Sequence, residues 1–131
     1  MSKRWIGIAL LAATVAAGAA MPARARGVAP TMLNGSSQEV VVFESANCIY
    51  CQLFRRDVLP QYLRSRRARS APIRFVDARS ADPGKFGLAA PLTMVPTVVV
   101  MQNGREQGRI AGYTGPEPFF HMISRIFGAA R

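Results

Sequence analysis

The sequence has little cysteine, histidine or tryptophan. Two cysteines, one histidine and one tryptophan occur in 131 residues. A structural zinc site normally needs four protein ligands, and the two cysteines could recruit only His121, which lies far along the chain in the last predicted helix. We therefore expect no metal site and no cofactor, and we assign His121 no role.

Long apolar runs are missing except at the N-terminus. Lys3 and Arg4 precede an apolar stretch over 5–20, and Ala23-Arg24-Ala25 has the small-x-small pattern of a cleavage site. The stretch of about 15 residues is shorter than the roughly 20 that cross a bilayer. We predict a cleavable signal peptide over 1–25 and export to the periplasm, with an uncleaved anchor as the alternative. A flexible segment over 26–38 and one domain over 39–131 follow.

Acidic residues are scarce as well. Seven Asp and Glu stand against 17 Lys and Arg, a formal net charge of +10. Bases stack on aromatic side chains, and aromatics are not interleaved with the basic residues here, so we expect no nucleic-acid partner. Four arginines end the first predicted helix, where they complement the negative end of its dipole: Arg64, Arg66, Arg67 and Arg69. An acidic protein or an anionic membrane surface is the alternative reason for this cluster.

Apolar runs bounded by turn residues predict four strands. They cover 39–45, 73–77, 98–101 and 109–113. Asn103-Gly104 is a hairpin signal, so the last two strands should be antiparallel. The first two are joined by a helix and should be parallel.

Helical periodicity predicts a first helix over 49–67, kinked at Pro60. Its core-facing stripe contains six residues: Leu53, Phe54, Val58, Leu59, Tyr62 and Leu63. A short helix is predicted over 85–90, and the apolar face of a closing helix over 119–127. The resulting fold class is α/β, a four-stranded mixed β-sheet flanked by helices.

The two cysteines form Cys48-Ile49-Tyr50-Cys51, between the first strand and the first helix. A helix N-terminus has unpaired N–H groups and about half a positive charge. A cysteine there has a pKa lowered from about 8.5 towards roughly 3.5–7.5. Two thiols in one helical turn can also close a disulfide, although a purely structural one would gain little from so short a loop. We predict reversible thiol–disulfide chemistry at Cys48 and Cys51.

The cysteine pair, followed by Val95-Pro96-Thr97 just before a strand, resembles the thioredoxin superfamily. The resemblance covers nearly all of 39–127 and implies a thioredoxin-like fold. It implies that Cys48 is the exposed attacking thiolate and that Cys51 is the buried resolving thiol. It also implies a cis Pro96 beside the cysteines, with the backbone of Val95 offered to an extended substrate. Ile49 and Tyr50 complete the expected substrate-binding residues.

A narrower set of segments is similar to the small periplasmic SoxS-type thioredoxins of bacterial sulfur oxidation. These segments are 43–44, 48–51, 59–62, 97–101 and 108–113. The resemblance implies a periplasmic reductant that acts on a disulfide or a sulfur-modified cysteine of a protein partner, the sulfur-carrier protein of thiosulfate oxidation. It also implies a membrane protein as electron donor. We expect the chain to be a monomer.

The sequence departs from ordinary thioredoxins at the position six residues before the first cysteine. That family carries a buried Asp there, and Val42 takes its place. The carboxylate that would accept the proton of the resolving thiol is therefore missing. Glu44 is the nearest acid and is a candidate proton relay through water, with a solvated residue at the strand end as the alternative.

Two other functions remain open for the cysteine pair. One is an oxidase that introduces disulfides. Ile49 offers no hydrogen bond to a thiolate and no histidine lies between the cysteines, which favours a reductase or an isomerase instead. The other is a Cu(I) carrier that adds Met94 or Met101 to the two thiolates, since Cu(I) prefers soft sulfur ligands. Core packing is the simpler explanation for both methionines.

Overall fold

The structure, a computed structural model, describes residues 37–130. The predicted signal peptide and nearly all of the predicted flexible segment lie outside these residues. Within 37–130, no helix combines the length and the apolar character needed to cross a membrane.

Residues 37–130 form four strands and four helices. In chain order they are β1 (Gln38–Glu44), α1 (Ile49–Asp57), α2 (Leu59–Arg64), α3 (Arg67–Ser70), β2 (Ile73–Asp77), β3 (Thr97–Gln102), β4 (Arg105–Ala111) and α4 (Pro116–Ala129). The strands make one mixed sheet in the order β2-β1-β3-β4. β1 is parallel to β2, and β3 is antiparallel to both of its neighbours. The predicted sheet and its strand directions are confirmed.

The sheet has an apolar core on each face, because successive residues of a strand point to opposite sides. Val40 and Val42 of β1 pack in the core covered by helices, with residues of α1, α2 and α4. Val41 and Phe43 pack on the other side, where the connection between β2 and β3 covers the sheet. Phe86 of that connection meets Phe43 edge to face, with ring centroids 5.5 Å apart. Buried on both faces, β1 provides a rigid base for the loop that follows it.

The first helix is divided into separate helices, so the continuous span expected over 49–67 is wrong, whereas the interruption expected at Pro60 is present. α1 ends at Asp57 and α2 begins at Leu59, with Pro60 as its second residue. Pro60 has no N–H for the carbonyl four residues earlier, which favours a break here. The core-facing stripe holds at Phe54, Val58 and Tyr62, which are buried. Leu63 is predicted to face the core but is 58% exposed, because Tyr62 occupies the core-facing position of α2.

Two further predictions need correction. The short helix over 85–90 is absent; the segment forms turns in which Gly87 has a φ of +65°. The fourth strand starts at Arg105 and not at 109, because the turn at Asn103 and Gly104 takes only two residues, both with positive φ. The pairing of β3 with β4 shifts between Val100 and Met101, where β4 contains one extra residue.

Gly87→Ala is expected to lower the free energy of unfolding by about 3 kcal/mol, because positive φ disfavours a side chain and because overpacking adds to the loss. A Cβ at Gly87 would overlap the carbonyl oxygen of Gly104. Gly104→Ala is the matched control, since Gly104 also has positive φ but nothing lies within 4 Å of its added Cβ. It should cost only about 1 kcal/mol. Urea unfolding measures both, and equal losses would contradict the overlap.

Candidate active site

Cys48 lies at the start of α1, on the loop that leaves the C-terminal end of β1. It is the N-cap of the helix, and its Sγ accepts a hydrogen bond of 3.1 Å from the backbone N–H of Cys51. Its carbonyl oxygen accepts the N–H of Gln52, also at 3.1 Å. Asn47 precedes it with a φ of +63°, a left-handed conformation that asparagine tolerates better than most residues. The cap position directs the Cys48 sulfur at the free N–H groups of the first turn.

The two cysteines are joined as a disulfide, with their Cα atoms 5.2 Å apart. Cys51 is only 4% exposed, whereas Cys48 is half-buried. The two sulfurs are therefore not equivalent, and a large protein approaching from solvent reaches Cys48 first.

The segment before β3 lies at the same end of the sheet as the cysteines. Thr97 pairs with Phe43 near the end of β1, and the Val95–Pro96 bond is cis, as the resemblance implies. The hydroxyl of Thr97 donates to the carbonyl of Met94 at 2.7 Å. The N–H of Gly112 donates to the carbonyl of Pro96 at 2.8 Å. These bonds hold the segment beside the loop that carries Cys48.

An ion pair on β4 anchors the chain that leads into this segment. Glu106 and Arg109 lie 2.6 Å apart, and their side chains are the least exposed of any ion pair within 37–130. Arg109 donates to the carbonyls of Ala90 and Pro91, and Glu106 accepts the N–H of Ala89. This contact could not be predicted from the sequence, because Arg109 belongs to a strand and its loop partners are distant in sequence.

The predicted substrate-binding residues differ in exposure. Ile49 and Tyr50 are 59% and 57% exposed, whereas Val95 is half-buried and Pro96 is buried. Met94, which the sequence analysis treated as core or as a copper ligand, is exposed, while Met101 is buried in the core. Met94 and Val95 line a cleft of about 370 Å³ with Ser45 of the cysteine loop.

A second cleft, of about 390 Å³, is lined by both cysteines and by residues at the ends of β1 and β2. Its lining includes Glu44, Cys48, Cys51, Arg55 and Phe75. Both carboxylate oxygens of Glu44 accept hydrogen bonds from Arg55, at 2.9 and 2.6 Å. The guanidinium carbon of Arg55 also lies 3.6 Å from the centre of the Phe75 ring. Glu44, the acid nearest to the cysteines in sequence, is therefore held in a fixed place.

Electrostatics at this cleft follow from its ion pairs. The hydrogen bonds to Glu44 raise the pKa of Arg55, so its positive charge persists throughout the working range of pH. Asp77, which lines the same cleft, has its pKa lowered to about 2, chiefly by hydrogen bonds from the Arg79 side chain and backbone. Val42 is 1% exposed, and its apolar side chain packs in the core covered by helices.

Arg55 is the main site residue that the sequence analysis missed. It follows Cys48 by seven positions, which is two helical turns, so the two residues share a face of α1. This spacing is enough to predict from the sequence that Arg55 lies on the same side of α1 as Cys48. Its contact with Glu44 depends on how the helix lies against β1, which the sequence pattern does not specify.

A model of the thioredoxin-like domain family matches residues 31–126. Among solved structures, the periplasmic thioredoxin SoxS from Paracoccus pantotrophus, in its reduced form, is 34% identical with a TM-score of 0.67, over 72% of this chain and 99% of that one. Mitochondrial thioredoxin 3 from Saccharomyces cerevisiae is 19% identical with a TM-score of 0.53, over 69% and 79%. The thioredoxin Deadhead from Drosophila melanogaster is 15% identical with a TM-score of 0.55, over 69% and 81%. The last two are alike in fold alone, and a comparison with curated proteins returned no match.

The match of the family model extends from before β1 into the last turns of α4, and the SoxS likeness covers almost the whole of its counterpart. The residues that the family model matches contain the cysteine pair, here closed as a disulfide at the start of a helix. The chain thus belongs to the thioredoxin-like family, and it is a thiol-disulfide oxidoreductase.

Proposed function

We propose that this protein is a periplasmic reductant that opens a disulfide, or removes sulfur from a modified cysteine, on a protein partner. The observation that carries the proposal is the asymmetry of the pair: Cys48 is half-buried at a helix N-cap, and Cys51 is 4% exposed behind it. An attacking thiol must be reachable by the partner's sulfur, and a resolving thiol needs to reach only its neighbour.

The reaction has two exchanges. The Cys48 thiolate attacks the sulfur of the partner's cysteine, and a mixed disulfide forms. The second sulfur of a partner disulfide leaves as a thiolate, and the outer sulfur of a persulfide leaves as hydrosulfide. Cys51 then attacks the Cys48 sulfur, so the partner's cysteine leaves reduced and the Cys48–Cys51 disulfide forms. Two electrons pass from the cysteine pair to the partner. A membrane protein that supplies two electrons returns the pair to its dithiol form.

The partner is proposed to bind along the rim of the site. Ile49 and Tyr50 give it exposed apolar contact area next to Cys48. Val95, on the segment held by Thr97 and Gly112, gives it backbone hydrogen-bonding groups, with Pro96 packed behind. An extended segment around the partner's reactive cysteine fits this arrangement.

Several observations support the periplasmic reductant over an oxidase. The chain is 34% identical to a protein described as a periplasmic thioredoxin, which matches the signal peptide expected at 1–25. Ile49 has no group that would donate a hydrogen bond to the Cys48 thiolate, and such stabilisation of the reduced form is what makes an oxidant strong. The sulfur-carrier protein of thiosulfate oxidation is the partner that the resemblance to SoxS-type thioredoxins implies.

The reduction potential of the purified pair tests the direction of electron flow. A reductant should lie near the thioredoxin value of about −270 mV, whereas a value near −120 mV would make the protein an oxidase. A titration with Cu(I) should accompany the measurement of the reduction potential. Tight Cu(I) binding without reduction of a protein disulfide would replace the proposal with a Cu(I) carrier.

Glu44→Gln is expected to slow the second exchange by about 100-fold, a typical loss for a missing general base. We propose that Glu44 takes the proton of Cys51 through water in the cleft that both residues line. Attack by Cys48 on a model disulfide should keep its rate. Rapid-mixing measurements of mixed-disulfide formation and decay separate the two steps.

Glu39→Gln is the matched control for that experiment. Glu39 is also on β1 and is also held by two hydrogen bonds from an arginine, Arg74, but it lies at the far end of the strand. It should leave both exchanges unchanged. Equal rates in the two variants would show that Glu44 has no part in the proton transfer.

A further inference from the structure

The acidic residues of this chain are almost all neutralised by a nearby base. Six of the seven Asp and Glu lie within 4.0 Å of an Arg or Lys nitrogen, and the exception is Glu117. The positive charge left over is therefore concentrated where basic residues have no acidic neighbours. The densest such place is the stretch from α2 into α3.

This stretch presents a basic patch, which we define as Leu63, Arg64, Arg66 and Arg69. The three arginines are exposed, and no carboxylate within 37–130 pairs with any of them. Leu63 adds an apolar side chain that is 58% exposed. Arg67, between them in sequence, is not part of the patch because its guanidinium lies over the Phe127 ring at 4.1 Å.

Within residues 37–130, the basic patch lies at the opposite end of β1 from the cysteines. It ends shortly before β2, whose first residue, Ile73, pairs with Val40 near the start of β1. Cys48 follows the other end of β1. The helices that join the two places cover roughly 20 Å at about 1.5 Å per residue. A protein partner bound at Cys48 would therefore not cover the basic patch.

The cleft next to the basic patch does not involve its three arginines. This cleft has a volume of about 130 Å³, and Arg67 is among its lining residues. Three exposed arginines and one exposed leucine within seven residues of sequence suit an extended surface of opposite charge with an apolar layer beneath. Anionic phospholipid headgroups over acyl chains have this chemistry.

We propose that the basic patch binds the surface of a membrane that contains anionic phospholipids. The three guanidinium groups contact lipid phosphates, and Leu63 enters the boundary between headgroups and acyl chains. Bound in this way, the protein holds Cys48 away from the bilayer and open to partners in solution. The proposal does not depend on the direction of electron flow or on the identity of the partner.

Vesicle binding by the chain recovered from the periplasm of an expression host tests the proposal. It should bind vesicles that mix phosphatidylcholine with phosphatidylglycerol, should not bind phosphatidylcholine alone, and should be released by salt. Replacing Arg64, Arg66 and Arg69 together with Gln should weaken binding roughly 100-fold, at about fivefold per arginine. Absence of binding to the anionic vesicles would overturn the proposal.

A charge-matched variant provides the control. Replacing Lys85, Arg105 and Arg125 with Gln removes the same three charges from exposed positions outside the basic patch. It should change the affinity for vesicles by only a few-fold. A loss equal to that of the patch variant would mean that binding depends on net charge alone, and it would overturn the proposal. Cooperative urea unfolding of both variants at the midpoint of the unchanged protein shows that they are folded.

Leu63→Gln separates a membrane from an acidic polypeptide. It removes no charge, so it should weaken vesicle binding by about tenfold through lost apolar contact alone. An unchanged affinity would remove the reason for choosing a membrane and overturn the proposal. Retention on polyglutamate without retention on anionic vesicles would do the same.

Discussion

Replacing Cys51 with serine is expected to stop turnover and to leave the protein covalently attached to its partner. Cys48 can still attack, but no second thiol lies within reach to release the mixed disulfide. Disulfide reductase activity should fall on the order of 10³-fold or more, as when a member of a concerted catalytic set is removed. The complex should appear on a non-reducing gel as one added band that disappears with dithiothreitol.

Cys48→Ser is the matched control for this trap, because it removes the partner-facing sulfur and keeps the inner one. Cys51 is 4% exposed, so this variant should be as inactive as the other and should form no complex. Complexes formed through Cys51 would reverse the assigned roles. An absence of complexes in Cys51→Ser, while Cys48 still reacts with a small thiol reagent, would contradict the two-step exchange.

The trapped complex also identifies the partner. Mass spectrometry of the added band, from cells in which the variant is exported, names the protein joined to Cys48. The sulfur-carrier protein of thiosulfate oxidation is the expected result. Unrelated secreted proteins in its place would favour a general reductase or isomerase of the periplasm.

The sequence allowed the sheet and the cysteine site to be predicted because both follow local rules. Val40 to Phe43 form an apolar run that must be buried on both faces, and the two-residue hairpin at Asn103 sets the direction of β4. The helix start at Cys48 follows from the end of that run. Such features need no knowledge of distant contacts.

The features that the sequence did not predict all depend on distant contacts. Arg55 is in the site because α1 lies across β1 and brings it to Glu44. Turns replace the helix expected at 85–90 because Phe86 packs on Phe43. Gly87 has a positive φ, which a right-handed helix does not contain. Leu63 is exposed because Tyr62 makes the core contacts of α2. Helical periodicity alone contains none of this information.

The second large effect is expected at Val42, the position where ordinary thioredoxins bury an acid. Val42 is 1% exposed and packs in the helix-covered core, between the β-pairing neighbours Phe75 and Val98. Val42→Asp places a carboxylate there without a partner. It should lower the free energy of unfolding at pH 7 by about 3–5 kcal/mol, the usual loss for an uncompensated buried charge.

Val42→Asn is the control, because it has the size of Asp without the charge. A buried carboxyl has a raised pKa, so the folded state resists ionisation and loses stability as the pH rises above the ordinary Asp value of about 4. The stability of Val42→Asp should therefore approach that of Val42→Asn as the pH is lowered towards 4. A difference that does not change with pH would mean that the carboxylate reaches solvent or an unrecognised cation.

Combining Val42→Asp with Glu44→Gln shows whether any nearby carboxylate can serve the resolving thiol. The buried Asp of ordinary thioredoxins occupies this position, so the double variant should recover part of the rate of the second exchange that Glu44→Gln loses, even though it is less stable. Recovery would mean that this chain has moved its proton acceptor from the core to Glu44, where Arg55 fixes it in the cleft. A rate that stays low would mean that the Glu44–Arg55 pair acts through its position and charge, and that a carboxylate at the older site cannot replace it.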